Sequence, residues 1–387
     1  MKICHITTSH LPNDSRIFHK ELCSLAKRYD DVTLVSGFPD KIPTDRAGVK
    51  FVTYRQFAGA KPAYEAQEPD SLRDKRANMR SLFRTAVDLN ADLYHCHEIE
   101  SLLVAVKLKK ALGCKAIYDA HEMHSESFAG RLPSWSRRAA IRAIQAFERR
   151  YIRRCDFGIA ATWKIHDYLA QTLGADRTEA LLNVPRPELF EPVERSWDGT
   201  LVVCHEGSLT FARGLTTMME AFALVCRRHP IRLRIVGALP PGEQAWLEQF
   251  VRKEHLEGFV DVTGWLEFRM VSSSIAPCHI GLIAMQPLPN HIEAMPNKIF
   301  NYMYCGLALV VPGFQVPSRR IVEEERCGLC AEGDSAEAYA RAISYLVEHP
   351  QEARQMGARA MQAARGKYSW SLAEQKLYAV YDRVLSV

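Results

Sequence analysis

The feature that most constrains the fold of this chain is a repeated alternation of short β-rich runs with longer helical stretches. Apolar, β-branched runs predict strands, and apolar residues spaced three or four apart predict the helices between them. Such alternation predicts a parallel sheet covered by helices on both faces, because parallel strands need a crossover connection. In the first half, the predicted strands are Lys2–Thr7, Val32–Ser36, Lys50–Tyr54, Leu93–His97 and Ala116–Tyr118, and the predicted helices are Ser15–Arg28, Leu72–Leu89 and Ser101–Leu112.

A second series of the same kind begins after a proline-rich stretch at residues 182–192. Prolines interrupt helices and central strands, so we place a domain boundary between residues 183 and 184. A chain of 387 residues has the length expected for two domains. We therefore predict two doubly wound α/β domains in tandem. In the second, the predicted strands are Leu201–Glu206, Arg232–Val236, Val260–Thr263, His279–Ala284 and Ala308–Val311, and the predicted helices are Leu215–Arg228, Gly242–Glu254, Asn297–Tyr304 and Ala336–Glu348.

Composition excludes several classes of protein. The 11 cysteines are scattered and odd in number, which predicts reduced thiols in a cytoplasmic protein. The one CxxC, Cys327 to Cys330, has no second pair at zinc-finger spacing, so we expect no metal site. There is no signal-peptide core and no apolar run near the ~18 residues of a membrane span. A net charge of +5 is too small to indicate nucleic-acid binding.

Polar and charged residues gather directly after the predicted strands of the first domain. No GxxxxGK[ST] or GxGxxG motif follows these strands, which disfavours a P-loop NTPase and a dinucleotide-binding domain. Ligands of parallel α/β sheets bind at the carboxyl ends of the strands. We therefore expect these residues to face a cleft: Ser9, His10, Asp14, Arg16, His97, Glu98, Asp119, His121, Glu122 and His124.

In the second domain, a glycine-containing turn follows the first strand and opens a helix. Gly207 and Gly214 bracket this turn, and Arg213 supplies a cation beside the helix start. Free N–H groups and the positive end of the helix dipole bind anions, and an arginine adds charge-assisted hydrogen bonds. The turn therefore predicts a diphosphate site, and a short helix between Pro296 and Gly306 would provide a second anion contact.

Several segments, in order along the chain, resemble the retaining glycosyltransferases of family 4. They are Asp14–Glu21, Tyr94–His97, Tyr118–Glu122, Asn183–Pro185, Gly207 with Arg213–Gly214, Pro296–Phe300 and Tyr368–Trp370. The resemblance covers essentially the whole chain. It implies the GT-B fold, in which two Rossmann-like domains face a central cleft. Residues 1–183 would bind the acceptor, residues 184–367 the nucleotide sugar, and residues 368–387 would form a helix crossing back to the first domain.

The resemblance also implies roles for individual residues. The catalytic residues would be His121, Glu293 and Arg213. The acceptor would contact Ser9, His10, Asp14, Arg16, His97, Glu98 and His124. The nucleotide sugar would be bound by Gly207, Ser208, Arg213, Gly237, Gly264, Trp265, Glu293, Ala294, Met295, Lys298 and Asn301.

Two positions depart from the family pattern. An E-x7-E motif in the family ends on a glutamate that binds the ribose hydroxyls, and here Glu293 is followed by Asn301 at that second position. An asparagine still forms hydrogen bonds but lacks the charge that makes them about twice as strong. Ser208 stands where the family has an arginine on the phosphates. We therefore expect weakened or altered nucleotide binding.

The function implied by the resemblance is retaining transfer of a sugar from a nucleotide-diphosphate sugar, UDP- or GDP-linked, to a glycan or lipid-linked acceptor in polysaccharide or glycoconjugate synthesis. It implies no metal and no cofactor, and no Asp-x-Asp motif of the metal-dependent glycosyltransferases occurs. Two alternatives remain at this point. One is a nonhydrolysing nucleotide-sugar 2-epimerase, and the other is a non-catalytic binding or regulatory subunit, for which Asn301 and Ser208 argue.

A basic segment points to a membrane surface. Between Arg131 and Arg154 eight arginines occur with a single acid, Glu148, and apolar residues recur at near-helical spacing. A basic amphipathic helix of this kind can lie on an anionic membrane. We expect peripheral association with the inner face of the plasma membrane, with acceptor selection in the loop 57–70.

Overall fold

The computed structural model describes residues 1–57, 71–129, 132–191, 193–197 and 199–386. The chain forms two compact units, one made of Met1–Asn183 with the segment from Leu372 onward, and the other of Val184–Ser371. Of the predicted acceptor loop only Phe57 belongs to the described residues, and Arg131 of the basic segment lies outside them.

The first unit contains a seven-stranded sheet in which every strand pair is parallel. The strand order is β3-β2-β1-β4-β5-β6-β7. Strands β2 and β3 therefore lie on one side of β1, and strands β4 to β7 lie on the other side. The central strands β1, β4, β5 and β6 are buried along almost their whole length, because helices cover both faces. Their bounds are β1 Lys2–Ile6, β2 Asp31–Ser36, β3 Lys50–Thr53, β4 Leu93–Cys96, β5 Lys115–Ala120, β6 Phe157–Ala160 and β7 Thr178–Ala180.

Seven α-helices accompany this sheet among the described residues. Six lie between its strands, and the seventh, α15, is the long helix from the far end of the sequence. Their bounds are α1 Cys23–Leu25, α2 Leu72–Leu89, α3 Ile99–Leu112, α4 His124–Ala129, α5 Ser134–Ile152, α6 Trp163–Leu173 and α15 Trp370–Leu385.

The helical segment after β1 differs from the prediction. Ser15–Arg28 was expected to be one α-helix, but Ile17–Leu22 is a π-helix that continues into the short α1. The Glu21 N–H donates to the carbonyl of Arg16 at 3.0 Å, five residues back, which is the wider π spacing. Both side chains are buried, so this widened turn belongs to the polar interior described below.

The second unit repeats the architecture with a six-stranded parallel sheet, in the order β10-β9-β8-β11-β12-β13. Its core surrounds Val203, Phe222, Ile235 and Val310, all fully buried. The strands are β8 Leu201–Glu206, β9 Ile231–Val236, β10 Val260–Val262, β11 Ile280–Leu282, β12 Ala308–Pro312 and β13 Gly328–Ala331. The helices are α7 Leu215–Cys226, α8 Pro241–Lys253, α9 Phe268–Ile275, α10 Pro289–Ile292, α11 Lys298–Tyr304, α12 Val316–Glu325, α13 Ala336–Glu348 and α14 Pro350–Gly366.

The predicted fold is confirmed: each unit is a doubly wound, Rossmann-like α/β domain. Several elements were not predicted, among them β6, β7, α6, α12 and α14. Among the described residues, no helix combines the length and the apolar character needed to cross a membrane.

Candidate active-site clusters

The end of β8 is where the second unit gathers its polar residues. Gly237, just after β9, lies so close to Gly207 that a Cβ there would sit 2.5 Å from the Gly207 carbonyl oxygen. Both glycines have positive φ, of 148° and 92°. Glycine is therefore required for these two strand ends to converge.

A cavity of about 450 Å³ opens at these strand ends. It is bounded by residues that follow β8, β9 and β10, the carboxyl-end edge where doubly wound sheets bind ligands. Its lining is Glu206, Gly207, Ser208, Val236, Gly237, Ala238, Leu239, Pro240, Trp265, Leu266 and Val271. Of the residues predicted to bind donor, the cavity brings together Gly207, Ser208, Gly237 and Trp265.

Lys298 supplies a half-buried cation at this edge. It is the first residue of α11, and its Nζ lies 3.1 Å from Nε2 of His205. A Cβ on Gly207 would be 3.7 Å from the same Nζ, so the ammonium lies beside the glycine turn. Burial lowers the pKa of Lys298 to about 8, although Glu206 opposes the shift. The group is therefore mostly protonated at neutral pH and available to a phosphate.

Glu206 is the residue that sequence reasoning missed. The Asn301 side-chain amide donates to Glu206 Oε2 at 3.0 Å. Burial raises the pKa of Glu206, with Lys298 and the Asn301 hydrogen bond opposing. A charged residue that ends an apolar strand directly before a glycine turn was the available signal. We call His205, Glu206, Lys298 and Asn301 the Glu206 cluster.

Arg213 lies in the turn that leads into α7. Its Nη1 donates to the carbonyl of Ser208 at 3.2 Å, and its side chain is exposed. Gly214 caps the helix with φ of 84°, and a Cβ there would lie 1.4 Å from the Ala284 carbonyl oxygen. The turn thus packs tightly on the sheet while Arg213 stays accessible to an anion.

The remaining predicted donor residues lie between α10 and α11 or at the end of β10. Glu293, Ala294 and Met295 are half-buried, and they do not line the cavity. Gly264 also is not part of the lining, but its neighbour Trp265 is, with 76% of its surface exposed. The roles predicted for Glu293 and Gly264 stay predictions.

The first unit contains a different kind of cluster, centred on Asp119 at the end of β5. Arg16 donates to both carboxylate oxygens, from Nε at 3.0 Å and from Nη2 at 2.9 Å. His121 Nε2 lies 3.1 Å from Asp119 Oδ2, and His97 Nδ1 lies 3.5 Å from it. Although burial opposes it, Arg16 holds the pKa of Asp119 well below its ordinary value.

The histidines of this cluster form a buried chain. His97 Nδ1 is 3.2 Å from His121 Nε2, and His97 Nε2 is 3.0 Å from His5 Nδ1. The Tyr381 hydroxyl of α15 lies 2.9 Å from His5 Nε2 and 2.8 Å from His95 Nδ1. Burial lowers the pKa of His121 to about 4 against the opposing effect of Asp119, so the ring is neutral at pH 7.

We call Arg16, Glu21, His95, His97, Asp119 and His121 the Asp119 cluster. Its charges compensate one another: Arg16 also pairs with Glu21 at 2.9 Å, and burial raises the pKa of Glu21 well above its ordinary value. Glu21, His95, His97 and Asp119 bring ligand atoms within 4.8 Å of one another, as a metal site would. The guanidinium of Arg16 already pairs with two members of this group, Glu21 and Asp119.

Glu98 caps α3 and organises the turn after β1. Its carboxylate accepts hydrogen bonds from the Thr8 N–H at 3.1 Å, from the Ser9 N–H and hydroxyl, and from the Ser101 hydroxyl. Burial alone would raise the pKa of Glu98, but nearby His10 and these donors lower it to about 2. Ser9 and Glu98 are therefore partners of each other.

His10 and Asp14 form a second pair, with Nδ1 3.3 Å from Oδ2. Burial opposes the charge on His10, yet Asp14 and Glu98 raise its pKa to about 9.

His124 lies near Glu122 at 3.4 Å, which raises the pKa of His124 in spite of burial. Arg16 is only 2% exposed, and its guanidinium neutralises Asp119 in the interior. The acceptor roles of these residues stay predictions.

The two doubly wound domains, with a cationic glycine turn at the first strand of the second, define a GT-B glycosyltransferase. The first unit matches the family described as "Glycosyl transferase 4-like domain" over residues 18–183, and the second matches "Glycosyl transferases group 1" over residues 200–349. The chain belongs to these family 4-type glycosyltransferases. The predictions of fold, family and enzyme class are confirmed.

Solved structures support the same fold. Sucrose-phosphate synthase from Thermosynechococcus elongatus aligns with a TM-score of 0.78 at 16% identity, covering 100% of this chain and 99% of that one. HepE of Anabaena in complex with UDP-glucose gives 0.71 at 17% identity over 99% and 100%. WaaG, a glycosyltransferase involved in lipopolysaccharide biosynthesis, gives 0.66 at 15% identity over 99% of each chain. No curated protein matches by sequence.

Proposed function

We propose that this glycosyltransferase transfers a sugar from a UDP-sugar, with retention of anomeric configuration, to a glycan or lipid-linked acceptor. The observation that carries the proposal is the cavity at the ends of β8–β10, with Lys298 and Arg213 beside the glycine turn. The choice of UDP is supported by HepE, whose structures contain UDP and UDP-glucose.

In this proposal the diphosphate lies against Gly207 and the start of α7. Cleavage of the sugar–phosphate bond leaves negative charge on the departing diphosphate, and preorganised cations lower the free energy of that transition state. Lys298 and Arg213 provide two such charges, and the N-terminal dipole of α7 adds a third contribution. With these groups the reaction requires no divalent cation, which is our expectation for this enzyme.

The base would lie between the loop after β9 and Trp265. The cavity wall there is apolar, formed by Val236, Leu239 and Leu266. Trp265 is largely exposed, and an aromatic ring of this kind can stack on a nucleobase.

In the first unit, His121 would bind a substrate hydroxyl. Its Nε2–H is directed at Asp119, so in the neutral ring Nδ1 carries the lone pair. The low pKa of His121, caused by burial, keeps that nitrogen a hydrogen-bond acceptor at pH 7. A neutral acceptor orients a hydroxyl group without competing for its proton.

The donor is tested by thermal shift against UDP, GDP, ADP, TDP and CMP. A diphosphate at 100 times its dissociation constant adds about 2.7 kcal/mol to stability. We expect the largest shift with UDP, followed by UDP release from a UDP-sugar that requires an acceptor and is insensitive to EDTA. Conversion of the UDP-sugar without acceptor would indicate an epimerase, and binding without any turnover would indicate a non-catalytic subunit. An inverted product anomer would contradict retention.

We also propose that α5 binds an anionic membrane surface. Its exposed side carries Trp135, Arg138, Arg142, Phe147 and Arg150. The one acid of the segment, Glu148, is buried and accepts hydrogen bonds from the hydroxyls of Tyr118 and Tyr168, both at 3.0 Å. No acid therefore reduces the positive charge of that exposed side.

Vesicle co-sedimentation tests the proposed binding of α5 to an anionic membrane. Wild type should bind vesicles containing anionic lipid, at about 1 kcal/mol for each arginine near the surface. Replacing Arg138, Arg142 and Arg150 by glutamine should abolish binding, while the same change at Arg326, Arg341 and Arg354 of the second unit should not. Equal binding by both triple variants would contradict a role for α5.

A further inference from the structure

Glu206 is half-buried, lies on the cavity wall and has an incomplete set of hydrogen bonds. A carboxylate offers about four acceptor sites. Among the described residues, its side chain accepts a hydrogen bond from Asn301 alone, at Oε2. Burial raises its pKa, which shows that the protein interior does not compensate its charge fully. Such a group has acceptor capacity left for a ligand in the cavity.

Asn301 holds this carboxylate in place. It is buried, 8% exposed, within α11, and that helix is fixed to the strand because the Tyr302 hydroxyl accepts from the Glu206 N–H at 2.7 Å. The amide therefore orients one oxygen of Glu206 and leaves Oε1 without a partner among the described residues. Position 301 itself lacks the negative charge that the family pattern has there.

The neighbours of Glu206 identify the ligand group. Gly207 follows it directly, and the Lys298 ammonium lies beside that glycine. If the diphosphate occupies the glycine turn, the part of the ligand at Glu206 is one sugar away from the phosphates. A vicinal diol presents two O–H donors in the spacing that a carboxylate accepts, and the ribose of a nucleotide carries one.

We propose that Glu206, oriented by Asn301, accepts the ribose hydroxyls of the donor nucleotide. In this chain the carboxylate of Glu206, at the end of β8, and the amide of Asn301, on α11, together take the place of the glutamate that the family pattern has at position 301. Glu206 is then a binding residue, and Asn301 is a positioning residue that acts through it. This inference rests on the proposed function.

Calorimetric binding of UDP, 2′-deoxy-UDP and 3′-deoxy-UDP tests it. Wild type should bind at least one deoxy analogue about tenfold more weakly than UDP, since a half-buried acceptor loses its donor. Glu206→Gln should weaken UDP binding, and it should reduce the ratio of the affinity for UDP to that for the deoxy analogue to about threefold or less. The exposed Glu257→Gln is the matched control and should behave as wild type.

A double variant makes the test specific. Glu206→Gln with Asn301→Glu moves the carboxylate to the helix and the amide to the strand, so the preference for ribose should return to within about threefold of wild type. If Glu206→Gln fails to fold, Asn301→Ala removes only the orienting hydrogen bond and should still reduce the preference.

Five results are decisive against it. Equal affinity of wild type for UDP and both analogues would overturn the inference while leaving UDP as donor. An unchanged preference for UDP over the deoxy analogues in Glu206→Gln, or in Asn301→Ala, would also overturn the inference. An effect of Glu206→Gln on UDP-glucose but not on UDP would assign the carboxylate to the transferred sugar. No binding of any nucleoside diphosphate would overturn the proposed function itself, and this inference with it.

Discussion

The Asp119 cluster and the Glu206 cluster both gather acidic side chains, basic side chains and histidines at strand ends, yet they differ in what they leave unsatisfied. In the Asp119 cluster an arginine binds both oxygens of the carboxylate, and neutral histidines surround the pair. In the Glu206 cluster a lysine and a glutamate are half-buried, and the Glu206 carboxylate accepts one amide hydrogen bond, from Asn301. We expect the first arrangement to stabilise the fold and the second to keep its charges available to a ligand.

The largest effect is expected from breaking the Asp119 cluster. Asp119→Ala removes the carboxylate that accepts two hydrogen bonds from the buried Arg16, which should lower the free energy of unfolding by about 3–5 kcal/mol. Asp382→Ala, which breaks the exposed ion pair with Arg28, should cost at most about 1 kcal/mol. Urea unfolding measures both. Similar costs for the two variants would show that the cluster is not a stabilising unit.

The Glu206 cluster should respond to substitution in the opposite way. Lys298→Ala removes a half-buried charge, so stability should change little, while UDP affinity should fall by about 1.5–3 kcal/mol because a charge-assisted hydrogen bond is lost. The exposed Lys253→Ala is the control for both measurements. A strongly destabilised Lys298→Ala protein with unchanged UDP affinity would show that Lys298 stabilises the fold and does not bind the nucleotide.

The pKa of Lys298 makes this binding depend on pH. The free lysine is protonated below about pH 8, so UDP affinity should be constant from pH 6 to 7.5 and should decrease by about tenfold by pH 9. Lys298→Arg, which stays charged, should remove this decrease. A profile that is flat in wild type, or equally steep in the arginine variant, would exclude Lys298 as the titrating group.

The smallest effect concerns His10, at the edge of the first unit's polar residues. Its pKa is raised to about 9, so the stability it contributes is complete below the unfolded value near 6.5 and is lost as the pH rises through 9. The full pKa difference corresponds to about 3 kcal/mol. Because 27% of the His10 side chain is exposed and water screens its charge, we expect the difference in unfolding free energy between wild type and His10→Asn to shrink by about 1 kcal/mol between pH 6 and pH 9.5. His255→Asn, at an exposed histidine, is the control variant.

The sequence allowed the fold to be predicted because apolar runs and helical spacing are local properties. Strand bounds such as Leu201–Glu206 and the helix Leu72–Leu89 agree with the structure for that reason. The strand-end rule also placed Arg16, His97, Asp119 and His121 near one another, as their contacts show.

The sequence could not show which charged residues, far apart along the chain, pair with each other in the folded protein. Arg16 and Asp119 are 103 positions apart, so nothing local indicated that the arginine is buried. Glu206 was overlooked because its significance depends on Asn301, which reaches it across 95 positions. The replacement at position 301 was visible, but its partner on the strand became evident only in three dimensions.

The position of Tyr381 has a consequence for protein synthesis. Its hydroxyl joins His5 to His95 inside the first unit, so that unit needs a residue translated after the whole second unit. Domains usually fold in the order in which they leave the ribosome. Here the second unit, which is continuous in sequence, can complete its folding first, and the first unit must wait on the nascent chain with its buried histidines unsatisfied.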